Sequence, residues 1–254
     1  MQEQWTVDGF ELVVTRKRGM KHVYFRVAVP EGYLKVSAAP RVTKRFLTDY
    51  VREHAEELRE MQRRALTRYR EEITEYRTGE MLPLFGKKYP LVVLPGNTVR
   101  MELLDSESLP EVNDLPEIRT TVTDAHRVIL LRVRKDTDRD GRERAAEEFY
   151  RRELAVVLPE AIRRAEERTG LSAEEYRLRR MKTRWGTCSI RAKRIWLSVH
   201  LAKKPAECLD YILVHELVHL LEPYHNRRFY RLVEGFYPGY KAVEGLLRKR
   251  ENGM

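Results

Sequence analysis

The chain has 254 residues, 42% of them apolar, and this length is enough to bury a core without disulfides. Its two cysteines, Cys188 and Cys208, are too few for a disulfide framework and form neither a CxxC redox motif nor a paired-knuckle zinc site. No apolar run reaches the roughly 20 residues of a membrane span, and the first residues lack a basic-then-apolar targeting pattern. We therefore expect a protein of the cytoplasm with no membrane contact.

The positive charge of the chain is concentrated in one segment. The chain carries 49 basic and 39 acidic residues, a net charge of +10. The stretch from Arg177 to Lys204, called the basic segment below, contains ten basic residues and no acidic one, so the rest of the chain is balanced. We expect this segment to attract an acidic partner or nucleic acid, unless its charges are simply solvated.

The N-terminal half alternates short apolar strands with turns and then gives way to a helical pattern. Alternating residues in Phe10 to Val36, separated by Gly19 and by Pro30 to Gly32, predict a β-meander. Thr43 is a plausible helix cap, and apolar residues then recur at helical spacing until Gly79, which predicts one long, charged helix.

A second strand group follows the predicted helix. Strands are predicted around residues 89–94, 99–103 and 128–133, and the polar stretch 105–124 between them is predicted to be a surface excursion. With the meander and the long helix, these strands make up a predicted N-terminal domain of residues 10–135.

The C-terminal half, residues 142–254, is predicted to be a second domain. Helical spacing runs from Arg142 to Thr169, with a bend expected at Pro159. Strands are predicted at 176–182 and 194–199. A further helix begins near Pro205, which suits a first helical turn, and carries an apolar stripe.

That last helix contains the motif on which the functional prediction depends. His215 and His219 are four residues apart, so their imidazoles lie on one helix face and can share a zinc ion. Glu216 lies beside them, rotated around the helix, where its carboxylate can serve as a general base without binding the metal. The alternative is that two polar histidines simply occupy a core helix.

A third ligand must come from beyond the helix. Pro223 ends the helix, and the following turn can bring His225 back to the metal, although Glu222 or Glu234 could take its place. Three protein ligands leave the fourth position open for water, which is the arrangement of catalytic rather than structural zinc.

The motif and its surroundings resemble the YgjP-like metal-dependent hydrolases, relatives of the SprT-like and other zincin metallopeptidases. The resemblance is carried by His215 to His219, by Pro223 to Tyr230 and by Met181 to Ser189, and it extends over nearly the whole chain. It implies an α+β fold, with a zincin-like catalytic domain preceded by the N-terminal β-meander and long helix. It also implies zinc at His215, His219 and His225, with Glu216 catalytic.

The stretch around Trp185 allows two interpretations. The resemblance suggests that residues 184–189 or 195–198 belong to an edge strand that pairs with extended substrate. Alternatively, Trp185 and Cys188 only pack beneath the helix. The family's usual Trp-Gly-Ser-Cys sequence has Thr187 for its serine here, and Ser198 replaces a common asparagine, so the departures concern substrate contacts and leave the metal set unchanged.

Three functions compete at this point. The favoured one is a zinc metalloendopeptidase that cleaves polypeptide substrates. The second is a nucleic-acid-associated protein, such as a protease directed to DNA-bound proteins, which the basic segment would favour. The third is a zinc protein without activity. The oligomeric state cannot be predicted from these patterns.

Overall fold

The chain divides into two units at Ile73 and Thr74. The computed structural model describes residues 2–109, 126–181 and 183–248. The two units are taken separately below.

The first unit contains a four-stranded sheet. Its strands are β1 (Gln2–Val7), β2 (Phe10–Arg16), β3 (Tyr24–Val27) and β4 (Leu34–Ala38), in the order β1-β2-β4-β3. The predicted strands are present, but their order is not that of a meander, because β2 and β4 pair in parallel. Alternate residues of β4 are buried whereas β3 has no fully buried residue, in keeping with the central place of β4 and the edge position of β3.

Two helices follow this sheet where one was predicted. They are α1 (Lys44–Glu53) and α2 (Ala55–Glu72). Thr43 caps α1 as predicted, since its hydroxyl accepts the Phe46 N–H at 3.1 Å. The break falls at His54, whose φ of −111° and ψ of 24° leave the helical region. Its ring stacks on Tyr50 and lies 3.0 Å from the Tyr50 carbonyl oxygen, which explains why helical spacing alone missed the interruption.

The second unit begins with another four-stranded sheet. It contains β5 (Met81–Leu84), β6 (Lys87–Pro95), β7 (Arg100–Asp105) and β8 (Arg127–Val133), in the order β5-β6-β8-β7. The strands predicted around 89–94, 99–103 and 128–133 are all present. Most of the predicted surface excursion, residues 110–125, lies outside the described residues.

The long helix α3 (Arg139–Thr169) connects this sheet to the C-terminal part of the second unit. The Asp138 carboxylate caps it by accepting the Gly141 N–H at 2.7 Å, and the helix continues through Pro159. A three-stranded sheet follows, made of β9 (Glu175–Arg179), β10 (Gly186–Ser189) and β11 (Arg194–Ser198), in the order β10-β11-β9. After a 3-10 helix (Val199–Lys203) come α4 (Ala206–Val218), α5 (Arg227–Phe236) and α6 (Tyr240–Arg248).

The main hydrophobic core of the second unit joins its strand group to its helices, and a smaller buried cluster that includes Val92 and Leu130 lies within the strand group. Leu91 and Ile129 of the strand group, Phe149 of α3 and Leu213 of α4 belong to the main core. The predicted boundary between residues 135 and 142 therefore differs from the boundary of the units, because the second strand group packs with α3 and α4. The α+β class expected from the sequence is confirmed.

Membrane insertion was not expected from the sequence. Among the helices of residues 2–109, 126–181 and 183–248, none has both the length and the apolar character of a bilayer span.

His200, in the 3-10 helix before α4, is a partly buried titratable group away from the histidine motif. Its Nδ1 atom is buried and makes no hydrogen bond with the described residues. Burial lowers the pKa of His200 to about 4, and the positive charges of Lys203 and Arg180 act in the same direction. The folded protein therefore favours the neutral imidazole.

This shift predicts a specific loss of stability in acid. In the unfolded chain a histidine protonates near pH 6.5, whereas folded His200 resists protonation down to about pH 4. The free energy of unfolding should therefore fall as pH decreases from about 6.5 to 4, and His200→Gln should remove about 1–3 kcal/mol of that fall. Urea unfolding of both proteins across this range measures it, and parallel curves would contradict the assignment.

Candidate metal centre

Helix α4 is buried on almost all of its faces. Pro205 precedes it and Glu207 lies in its first turn, near the positive end of the helix dipole. The predicted stripe is buried, but so are residues on the other faces: Cys208, Tyr211, Val214, Glu216 and Val218. The motif is therefore held on a central core helix rather than on an amphipathic one.

The structure brings the three predicted histidines together. One nitrogen from each of His215, His219 and His225 lies within 4.8 Å of the other two, and the Nε2 atoms of His215 and His225 are 2.9 Å apart. A single ion with Zn–N bonds of about 2.0–2.1 Å needs donors this close. Among the described residues, no other group of three or more histidine, cysteine or acidic side chains meets this spacing.

The turn after α4 places His225 beside His215 and His219. Helix α4 ends at Val218 with His219 as its C-cap, and the chain then turns through Pro223. The Asn226 side chain accepts the Phe229 N–H at 3.0 Å and starts α5 directly after His225. The third ligand candidate is thereby fixed between the end of one helix and the cap of the next.

Phe229 supports all three imidazoles, and sequence reasoning gave it no role. Its ring is fully buried and lies 4.9, 4.7 and 4.7 Å from the rings of His215, His219 and His225. Helical spacing gave no signal for this contact, because His225 lies before Asn226, the N-cap of α5, and so is not part of the helix.

Neighbouring polar atoms orient two of the imidazoles. His219 Nδ1 lies 3.2 Å from the Glu222 carbonyl oxygen, so Nδ1–H donates there and Nε2 is left for a metal. The Tyr211 hydroxyl lies 3.5 Å from His215 Nδ1, and its place four residues before His215 puts it on the same helix face.

The two carboxylates that could have replaced His225 are engaged elsewhere. Glu222 accepts the Tyr224 N–H at 3.3 Å and lies 3.8 Å from Arg228, and Glu234 accepts the Gly239 N–H at 3.2 Å. Neither belongs to the group formed by the three histidines. The geometry thus favours His225 as the third ligand.

Glu216 is a buried carboxylate with an unsatisfied oxygen. The residue is only 4% exposed, and its Oε2 atom makes no hydrogen bond with the described part of the chain. Burial raises the pKa of Glu216 to about 8, and the Arg184 guanidinium opposes that shift. A buried acceptor without a partner is costly, so its retention points to a role in chemistry.

Strand β10 packs against Glu216 through Gly186. A Cβ atom on Gly186 would lie 2.7 Å from Glu216 Oε1 and 2.8 Å from its Cγ, so only glycine fits there. Trp185 and Cys188 are half-buried and line the same cleft as the histidines, while also packing on the core. Burial, reinforced by the negative charge of Glu216, raises the pKa of the Cys188 thiol to about 11. That thiol is therefore a poor nucleophile at neutral pH.

The residues fit a divalent metal ion. Burial lowers the pKa of His215 to about 3 and also lowers that of His219, so both imidazoles stay neutral and able to bind metal. The histidines, Glu216 and residues 184–188 line an open cleft of about 690 Å³. A metal bound there would face both the carboxylate and the cleft.

Comparison with known proteins places the chain in a metallopeptidase family. A family model described as YgjP-like, metallopeptidase domain, matches residues 21–250. Among solved structures, the crystal structure of the metallopeptidase zymogen of Pyrococcus abyssi abylysin is 27% identical. That alignment covers 38% of this chain and 98% of the other, with a TM-score of 0.33. No curated protein matches.

The histidine geometry predicts which substitutions impair metal binding. His225→Ala should weaken divalent metal binding by more than about 100-fold. Loss of a residue that only supports a ligand weakens binding by at most about 100-fold, so the larger effect would identify His225 as a ligand itself. Glu234→Gln, an exposed carboxylate nearby, should leave affinity unchanged. Titration with cobalt(II), followed by its visible absorption, measures both, and a larger loss in the Glu234 variant would refute the histidine set.

Proposed function

This chain belongs to the YgjP-like metallopeptidase family, and we propose that it is a zinc metalloendopeptidase of the HExxH type. In this proposal His215, His219 and His225 hold the ion and Glu216 is the general base. The observation that carries it is the cluster of three histidine nitrogens within 4.8 Å, beside a buried carboxylate with an unpartnered oxygen.

Zinc is proposed because of the donor set. Three imidazoles with no fourth protein ligand in the group, among the residues that the structure describes, are typical of catalytic zinc sites. When bound, zinc would polarise the scissile carbonyl and lower the pKa of water.

Glu216 supplies the proton transfers. Its free Oε2 can accept the proton of the attacking water, and the same carboxyl can then donate it to the departing amine. Gly186 holds the carboxylate in place, because its missing side chain lets β10 approach to contact distance. Arg184 lowers the pKa of Glu216 and so partly offsets the effect of burial, and the positive charge of a bound metal ion would lower it further toward the basic form.

The shape of the cleft suits an extended polypeptide. Strand β10 forms one edge of its sheet and pairs only with β11 among the described strands, so its outer side can pair with substrate backbone. Ile190 and Tyr230, 41% and 38% exposed, line the cleft and can contact apolar substrate side chains. No disulfide joins Cys188 and Cys208, in keeping with the cytoplasmic location that we also propose.

Glu216→Gln tests the proposed base. The amide cannot accept the water proton, so kcat/KM for a casein-derived peptide should fall about 10²–10⁴-fold, with bound zinc unchanged. Glu244→Gln is the matched control, because Glu244 is another carboxylate lining the cleft. Equal losses in the two variants would reject Glu216 as the base. Absence of cleavage by the zinc-loaded wild type would instead favour a zinc protein without activity.

Gly186→Ala tests how Glu216 is positioned. The added methyl would meet the carboxylate at 2.7 Å and displace it, so kcat should fall about 100-fold while zinc content stays the same. Gly235→Ala serves as control, since a Cβ there meets nothing within 4 Å. Peptide cleavage and zinc stoichiometry measure both variants, and a fully active Gly186→Ala enzyme would contradict this positioning.

A further inference from the structure

The folded basic segment is less charged toward solvent than its sequence suggests. Four of its basic side chains form ion pairs with acidic residues outside it: Arg177 and Arg194 with Glu175, Arg180 with Glu143 and Glu147, and Lys193 with Glu174. Lys203 and Lys204 are buried. The segment therefore does not present a continuous cationic surface, and its free charges are local.

Three arginines of the segment, Arg179, Arg184 and Arg191, remain exposed without a carboxylate partner among the described residues. Within residues 2–109, 126–181 and 183–248, neither Arg179 nor Arg184 has an acidic oxygen within 4 Å. Both line a cavity of about 320 Å³ whose described lining contains no acidic residue: Arg179, Arg180, Met181, Thr183, Arg184 and Thr187. Arg184 and Thr187 also line the catalytic cleft, so the cavity adjoins it.

We propose that this cavity is a substrate pocket for the carboxylate of an aspartate or glutamate side chain, bound by Arg179 and Arg184. The inference rests on the proposed function, because the acidic residue belongs to a polypeptide held in the catalytic cleft. Guanidinium groups bind carboxylates through two parallel hydrogen bonds, which gives this pairing both strength and direction.

The position of Arg179 makes it a fixed cation. Its guanidinium lies 5.9 Å from the centre of the Trp196 ring, and that of Arg177 lies 5.2 Å from it. Trp196 pairs in register with Thr187 of β10, the strand beside Glu216. A charge held against an aromatic ring loses less side-chain entropy when it binds an anion than a freely moving one does.

The same features favour an acidic side chain over nucleic acid. A cavity of about 320 Å³ holds one side chain, whereas a nucleic acid strand needs a cationic groove that follows several phosphates. Strand binding also uses exposed aromatic rings, and two of the protein's own guanidinium groups already lie over Trp196. The neighbouring Arg177 and Arg194 are already paired with Glu175.

Matched peptides test the pocket. Quenched-fluorescent peptides would differ only by Glu or Gln at one position, which is moved stepwise along both sides of the cleaved bond. At one position the zinc-loaded wild type should cleave the Glu peptide about 5–10-fold faster in kcat/KM, a preference that falls with salt. Arg184→Gln and Arg179→Gln should each bring this ratio toward one. Arg191→Gln, in the same segment but lining neither cavity, should not.

A binding measurement separates this inference from the proposed function. Zinc-loaded Glu216→Gln protein is titrated with fluorescein-labelled Glu and Gln peptides, and the ratio of their two Kd values should match the kinetic preference. Adding Arg179→Gln or Arg184→Gln to this protein should remove the difference between the two Kd values. Cleavage without any Glu preference, or a preference that survives both arginine variants, would overturn the pocket and leave the peptidase standing. Failure of the wild type to cleave any peptide would reject the peptidase, while the Kd ratio still tests the pocket.

A single-stranded oligothymidine measures the nucleic acid alternative. If it binds through Arg179 and Arg184 while peptide charge has no effect, the cavity belongs to a nucleic acid surface and the inference is wrong. Binding of the Glu peptide, with no binding of the oligothymidine, supports the pocket.

Discussion

The close packing around helix α4 is the constraint on which the rest of the site depends. Because nearly every face of this helix is buried, Glu216 and His215 lie where water is scarce. Burial raises the pKa of Glu216 and lowers the pKa of His215, and in each case it favours the neutral form. The imidazoles are then ready to bind a cation, and the carboxylate keeps an oxygen without a partner. Other parts of the second unit, such as β10 and Phe229, determine how tightly this arrangement is held.

Some of the site could be predicted because it depends on local spacing. The four-residue separation of His215 and His219 places both on one face of any helix, and the structure brings the two residues together in this way. Thr43 was recognisable as a cap for the same reason. The contributions of Gly186 and Phe229 were not recognisable, since each depends on the approach of a different element. Strand order in the first sheet and the helix break at His54 were missed because pairing and side-chain bonding override periodicity.

The basic segment illustrates how a fold changes the meaning of a charge count. In the sequence its ten cations have no acidic neighbour for 28 residues, yet Glu143 and Glu147 of α3 and Glu174 and Glu175 reach several of them across space. Exposed ion pairs of this kind add little stability. Their larger effect is to cancel long-range attraction and leave distinct positive charges close to the cleft.

The contact of Phe229 with all three imidazoles has a thermodynamic consequence. Since Phe229 belongs to α5, whose N-cap Asn226 directly follows His225, movement of that helix would separate the ring from the ligands and disturb His225. Metal affinity thus includes the free energy of packing α5, and bound metal stabilises that packing by the same amount through linkage. Helix α5 and the ion would then form one cooperative unit, so that the loss of either loosens the other.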